Sequence, residues 1–344
     1  MNRRDFLDPR RLANLAAPAI GIADEMESAS SAEPLLVRFS RPAMATTFEV
    51  VVPFAQPGAH ERAAVALDEI DRLEAQLTVF RDSSEVSRLN ASAGHHPVRV
   101  ERNLFDLLTL ARDLHRQTEG AFDVAVGALI KTWGFYHRQG RMPTPQDRAD
   151  VRQRIGMQHM ILDPARQTVF FQRKGLEINL GSIGKGFALD CAARLADVPN
   201  LLIHGGHSSV LAHGNEKPDT SGWVVGLTDP ERPNCRRALV RLNNRGMATS
   251  AITHQHFVHD GKKLGHLLDP RTGWPAQRML SATVTAPTAA EADALATAFF
   301  ILGVDKTRAY CDAHPDIGAA LVAANAPHRI TLLGHALTEV ELLR

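Results

Sequence analysis

The chain has 344 residues, 22% of them charged, and its 39 Lys and Arg nearly balance 38 Asp and Glu for a formal net charge of +1. That length can bury a substantial core, as one large domain or as two lobes. The balanced charge, without a basic run or an aromatic-interleaved stripe, argues against a nucleic-acid partner.

At the N-terminus, Asn2-Arg3-Arg4-Asp5-Phe6-Leu7 matches a twin-arginine export signal, with Leu12 to Ala23 as a short, weakly apolar segment behind it. This segment is far too short to span a bilayer. Export to the periplasm is expected, with a cytoplasmic location as the alternative because Asp8, Arg10 and Arg11 add charge ahead of the apolar segment. No lipobox cysteine follows, so a lipid anchor is not expected. Residues 24–33, rich in Ser, Ala and Glu, read as a linker, and residues 34–340 as the folded remainder.

Leu35 to Phe39 and Thr47 to Val52 then read as strands joined by a turn at Pro42. Ala63, Leu67, Ile70, Leu73 and Leu77 mark one face of a helix, and Leu104, Leu107, Leu108, Ala111 and Leu114 mark a second. A short strand pair, Met160–Leu162 and Val169–Phe171, leads to a glycine-rich loop and a helix over about Gly186 to Leu195. Leu201–Ile203, Ser209–Ala212, Trp223–Leu227 and Ala238–Leu242 look like sheet strands. An alanine-rich helix around Asp293, a helix near Lys306 to His314 and strands at Ala319–Val322 and Ile330–Leu333 complete the chain. Antiparallel-looking strand runs with inserted helices favour α+β, with two closely packed lobes, over a doubly wound sheet.

The cysteines, Cys191, Cys235 and Cys311, lie far apart without C-x-x-C spacing, so neither a zinc site nor a disulfide framework is expected. His204 with His207, and His254 with His256 and His259, could hold a transition metal. In a chain with 16 histidines such pairs arise readily, and incidental clustering is the simpler account.

Four segments carry candidate chemistry. In Glu291 to Gly303, Asp293 and Thr297 lie four residues apart and share one helix face. A carboxylate and a hydroxyl so placed are hard oxygen ligands suited to Mg²⁺ or Ca²⁺, although an ordinary core helix would read similarly. Gly265 to Gly273 is a strand ending in a tight turn flanked by His266 and Arg271, a pair suited to phosphate chemistry or simply a surface hairpin. Asn179-Leu180-Gly181-Ser182-Ile183-Gly184-Lys185-Gly186 places glycines and a lysine at a helix start, where backbone amides can bind anions. It has neither the Walker spacing nor the Rossmann fingerprint. Gly120 to Gly127 buries one carboxylate, Asp123, which could equally be a turn aspartate.

Together these segments resemble the ApbE family of FAD:protein FMN transferases. Met44-Ala45-Thr46-Thr47-Phe48 is similar to the family's M-G-T entry strand, and Ser84-Glu85-Val86-Ser87-Arg88-Leu89-Asn90 to its S-E-I-S-R-L-N run. The Ala121–Asp123 run, the glycine-lysine loop, Gly205-Gly206, Ala248-Thr249-Ser250, the His266 turn and the Asp293/Thr297 helix follow in family order, over roughly residues 35 to 335.

The resemblance implies an ApbE-like fold and Mg²⁺-dependent cleavage of FAD at its pyrophosphate. AMP leaves, and FMN is esterified to a Thr or Ser hydroxyl of an acceptor, expected to be an exported or membrane redox protein. By family position, Asp293 and Thr297 would hold the metal with Ser182, the last through its carbonyl. Lys185 and Asn179 would face the nucleotide. Met44, Phe80, Leu268 and the Ala121, Phe122 and Asp123 backbone would line the FAD cleft. His266 is the candidate to polarise or deprotonate the acceptor hydroxyl, and Asp293 joins it as the second catalytic candidate. Asn179 stands where relatives carry aspartate, Phe80 where they carry tyrosine, His207-Ser208 where they carry Asp or Asn then Ile, and Ala251-Ile252-Thr253 where they carry Gly-Asp/Asn-Tyr. FAD hydrolysis to FMN and AMP, or FAD binding without turnover, are the alternatives that these departures leave open.

Overall fold

The structure is a computed structural model that describes residues 20–22 (backbone), 35–217, 220–252, 256–337 and 339–343. The twin-arginine motif, the linker and His254 lie outside the described residues. Among those residues the frame is an eight-stranded sheet whose spatial order is its chain order. Its strands are β1 (Leu36–Ala43), β2 (Thr46–Pro53), β3 (Leu201–Gly205), β4 (Ser209–His213), β5 (Arg245–Ala251), β6 (Met279–Ala286), β7 (Gly318–Ala323) and β8 (Ile330–Leu333). Every neighbouring pair is antiparallel.

The helices come as insertions between strands: α1 (Ala59–Leu77), α2 (Glu85–Ser92), α3 (Arg102–Gln117), α4 (Gly127–Thr132), α5 (Pro145–Arg152) and α6 (Gly184–Ala196) between β2 and β3, then α7 (Ala289–Leu302) and α8 (Val304–Ala313) between β6 and β7. This is the α+β architecture that the sequence pattern implies.

Strand β2 shows why the sheet needs cover on both faces. Phe48, Val50 and Val52 enter the main core, which α1, α3, α6 and α7 also supply. Val51, one residue out of phase, enters a second core with Trp223, Val225, Ala238 and Val240 from a smaller four-stranded sheet. A third core of Leu129, Trp133, Phe135, Val151, Leu264 and Leu268 underlies the lobe that carries α4 and α5.

The first turn is not at Pro42, which lies inside β1 opposite Thr47. As β1 is an edge strand, a missing N–H there costs no ladder bond. The turn is Met44-Ala45, at φ 49° and 59°. Both residues are left-handed, the geometry that lets a two-residue hairpin follow strand twist, although neither is glycine.

Helix α7 starts at Thr288, whose hydroxyl accepts from Glu291 N at 3.1 Å, and stops at Gly303 with φ 78°. Two glycines set its depth. A Cβ on Gly186 would lie 2.1 Å from the Ala289 carbonyl oxygen, and one on Gly246 2.5 Å from Ala289 Cα. The first turn of α7 is therefore pinched between α6 and β5, and the residues that follow it are pressed onto the sheet.

Candidate active site

That packing delivers Asp293 to the N-terminus of α6, where it is 5% exposed. Its Oδ2 accepts from Gly186 N at 3.1 Å and lies 3.6 Å from Lys185 Nζ, while Oδ1 accepts from Ser209 Oγ at 3.3 Å. One turn on, Thr297 Oγ1 lies 3.1 Å from Ser250 Oγ on β5. The helix start contributes partial positive charge and the lysine a full one, so this pocket favours anions. In return, Asp190 on α6 accepts from Ala289 N and Ala290 N at 2.8 and 2.9 Å. Burial pushes the Asp190 carboxyl up to about 6 even though both amides oppose the shift.

The donors fit a hard divalent cation. Among the described residues no cluster of three His, Cys, Asp or Glu side chains is poised for a metal. One carboxylate with nearby hydroxyls leaves most of an octahedral shell to water and to substrate oxygens, which is how Mg²⁺ is commonly held beside phosphates. Asp293 and Thr297 are the side chains that would hold it. Ser182 is half-buried in the turn leading into α6, at the same helix end.

The loop feeding α6 is tied from several sides. The Asn90 side chain clamps Ile178, donating to its carbonyl at 3.0 Å and accepting from its N–H at 2.8 Å. Asn179 N donates to the Val124 carbonyl at 2.8 Å, and Asn179 Oδ1 accepts from Gly181 N at 2.9 Å. Asn179 Oδ1 thus closes an Asx turn that shapes the loop. Ile183 N and Gly184 N both donate to the Leu180 carbonyl.

The Asp123 side chain is engaged within the fold. Ala121, Phe122 and Asp123 are all buried. The Asp123 carboxylate accepts from Ala125 N at 2.6 Å and Met157 N at 3.0 Å, and lies 3.3 Å from His115 Nδ1. Burial raises its pKa while His115 opposes that shift. With its oxygens turned inward, the side chain braces the loop, and only the backbone of this run is left to meet a ligand.

Phe80 and His266 are positioned by consecutive residues of one 3₁₀ turn, Phe135–His137. Phe80 is 60% exposed, and its ring lies 4.9 Å from that of Tyr136 at 37°. Tyr136 is itself anchored, its hydroxyl donating to the Val79 carbonyl at 2.7 Å. Lys131 Nζ sits 5.1 Å from the Tyr136 ring centre and 2.5 Å from Glu177 Oε2, linking this platform to the segment before the glycine-lysine loop. His266 is half-buried after the Lys262–Gly265 strand, edge-on to Phe135 at 6.4 Å. Met44 is half-buried at its turn.

Two residues of the 266–273 turn are committed elsewhere. The Leu268 side chain is buried in the small-lobe core, so a cofactor contact there would have to be through backbone. The Arg271 guanidinium makes a two-point pair with Asp269, at 2.9 Å on each side, and cannot at the same time offer its fork to phosphate. The tight turn brings residues two apart within reach of each other.

The structure gives partners at the site to four residues to which the sequence assigned no role: Tyr136, Asp190, Ser209 and Ser250. Tyr136 follows directly on the Trp133-Gly134-Phe135 run, the one local signal that could have found it. The other three are ordinary strand or helix residues by pattern.

A family model described as "ApbE family" matches residues 44–321. A protein named FAD:protein FMN transferase from Klebsiella pneumoniae (strain 342) is 34% identical over 267 residues, covering 74% of this chain and 80% of that protein. One of the same name from Haemophilus influenzae is 30% identical over 296 residues, covering 81% and 84%. The solved ApbE protein of Thermotoga maritima superposes with a TM-score of 0.79 at 27% identity, covering 87% of this chain and 97% of that one. The apo flavinyl transferase ApbE of Pseudomonas stutzeri gives 0.76 at 26% identity, covering 87% and 95%.

Proposed function

This chain belongs to the ApbE family, and we propose that it moves the FMN part of FAD onto a Thr or Ser hydroxyl of an acceptor protein with the help of Mg²⁺, releasing AMP. Transfer of FMN from FAD to a protein is the activity its relatives are named for. The observation that carries the reading is the buried Asp293 carboxylate at the α6 N-terminus, with Lys185 and Gly186 beside it and the Thr297 hydroxyl one turn away.

The bond to be broken joins two phosphates, so the barrier is dominated by charge and alignment. When bound, Mg²⁺ would neutralise charge across the pyrophosphate and orient it. Lys185 and the α6 amides face developing negative charge from the protein side. Phe80, backed by Tyr136, offers an exposed face for the flavin ring. His266 would take the proton of the acceptor hydroxyl as it attacks phosphorus.

AMP release from FAD and Mg²⁺, followed with and without an acceptor domain, tests this. Release coupled to flavin on the acceptor supports transfer. Acceptor-independent release would make the protein a pyrophosphate hydrolase, and FAD binding without release would make it a carrier.

Export through the Arg3-Arg4 motif, and an acceptor among exported or membrane redox proteins, belong to the same proposal. Changing both arginines to lysine should leave the precursor in the cytoplasm; unchanged fractionation would remove the export assignment.

A further inference from the structure

Resting on the transfer reading, we infer that the face formed by the His256–Gly265 hairpin and the adjoining residues 137–154 docks an acidic segment of the acceptor protein, the segment that presents the hydroxyl. The hairpin strands His256–His259 and Lys262–Gly265 run straight into His266. Phe257 seats the hairpin against the neighbouring loop so closely that a Cβ on Gly140 would lie 2.5 Å from its ring. Trp274 closes the other side, with the Trp133 ring 5.5 Å away and the Arg148 guanidinium carbon 4.5 Å from its ring centre. These contacts hold the hairpin, the 137–154 segment and Trp274 together at the turn that carries His266.

The chemistry of this face is unbalanced. Arg138, Lys262 and Lys263 are exposed and have no carboxylate partner among the described residues. The acidic groups nearby have partners of their own: Asp260 lies 3.5 Å from His259 Nε2, Asp147 accepts from Thr144 N at 3.1 Å to cap α5, and Asp150 accepts from Gln146 Nε2 at 2.8 Å. Two exposed apolar side chains stand beside cations: Val258, 63% exposed, is the cross-strand partner of Lys263, and Trp274, 40% exposed, has Arg148 over its ring. Unpaired cations around isolated apolar anchors suit a carboxylate-rich peptide, with charge steering the encounter and the anchors holding it. A bilayer would instead call for a contiguous apolar face, which two side chains separated by charged residues do not form.

The test uses the purified full-length protein and two labelled synthetic peptides with one threonine each, one flanked by aspartates and the other by asparagines. Anisotropy titration should show the acidic peptide binding about tenfold tighter at low salt, with the preference lost near 0.3 M salt. Lys262→Glu combined with Lys263→Glu should abolish the preference while leaving AMP release from FAD unchanged. Equal affinity for the two peptides, a preference that survives the double substitution, or capture of the face by anionic vesicles instead of peptide would overturn the inference. If the preference holds but FAD is never cleaved, the transfer reading falls and the docking surface stands.

Discussion

Asp190 and Asp293 cap each other's helices. Asp190 on α6 accepts from the first amides of α7, and Asp293 on α7 accepts from Gly186 at the start of α6. The carboxylate assigned to the metal is therefore part of the joint that fixes where the anion-binding helix end lies. Loss of chemistry and loss of architecture must be separated in any experiment on this pair.

Asp293→Asn keeps an oxygen for the Gly186 amide and removes the charge. Mg²⁺-dependent AMP release at saturating FAD should fall by about two to three orders of magnitude, with a loss of stability of only about 1–2 kcal/mol by urea unfolding. Wild-type release from a folded Asp293→Asn protein would remove Asp293 from the metal assignment.

Asp190 should make stability pH-dependent. Burial raises its carboxyl from 3.8 to about 6 in the folded protein. Between those values the native state holds more protons than the unfolded state, so this contribution grows as pH falls and is lost as pH rises through the folded value. From about pH 7 to about pH 5 the gain is about 1 kcal/mol. Asp190→Asn cannot show it, so wild type minus variant should become more positive by that amount in urea titrations at the lower pH. A difference independent of pH would contradict the assignment.

His266→Asn retains hydrogen bonding without a useful proton acceptor. FMN transfer should drop by roughly two to four orders of magnitude with little change in FAD affinity. In the unmodified enzyme, transfer should decline as pH falls far enough to protonate the imidazole, because a base must be neutral to accept a proton. If His266→Asn loses FAD binding but keeps normal turnover per bound FAD, the histidine is a cofactor contact, and Asp269 becomes the next residue to examine.

Tyr136 is expected to act by positioning Phe80. Tyr136→Ala should weaken FAD binding about three- to tenfold, the worth of an aromatic pair, and leave turnover at saturating FAD nearly unchanged. Tyr136→Phe, which retains the ring and loses the bond to Val79, should recover most of the affinity. Equal KM values for all three proteins would show that the pair plays no part in flavin binding.

Much of the frame was legible without coordinates, because it rests on local physics. The unbroken apolar run Val50 to Val52 fits a strand buried on both faces, and Thr288 with Gly303 brackets α7. Placing Asp293 and Thr297 on one side of that helix needs only 3.6 residues per turn. The order of motifs was enough to mark the family. What these side chains meet was decided by packing. Asp293 finds Gly186 across 107 residues and Asp190 finds Ala289 across 99, through a close approach that two glycines allow. Arg271 reads as a phosphate contact because a guanidinium looks the same in sequence whether it faces a phosphate or a neighbour. In the fold it is turned onto Asp269. Periodicity tells which way a residue points along its own element; the partner waiting there belongs to another element, and only the tertiary structure brings the two together.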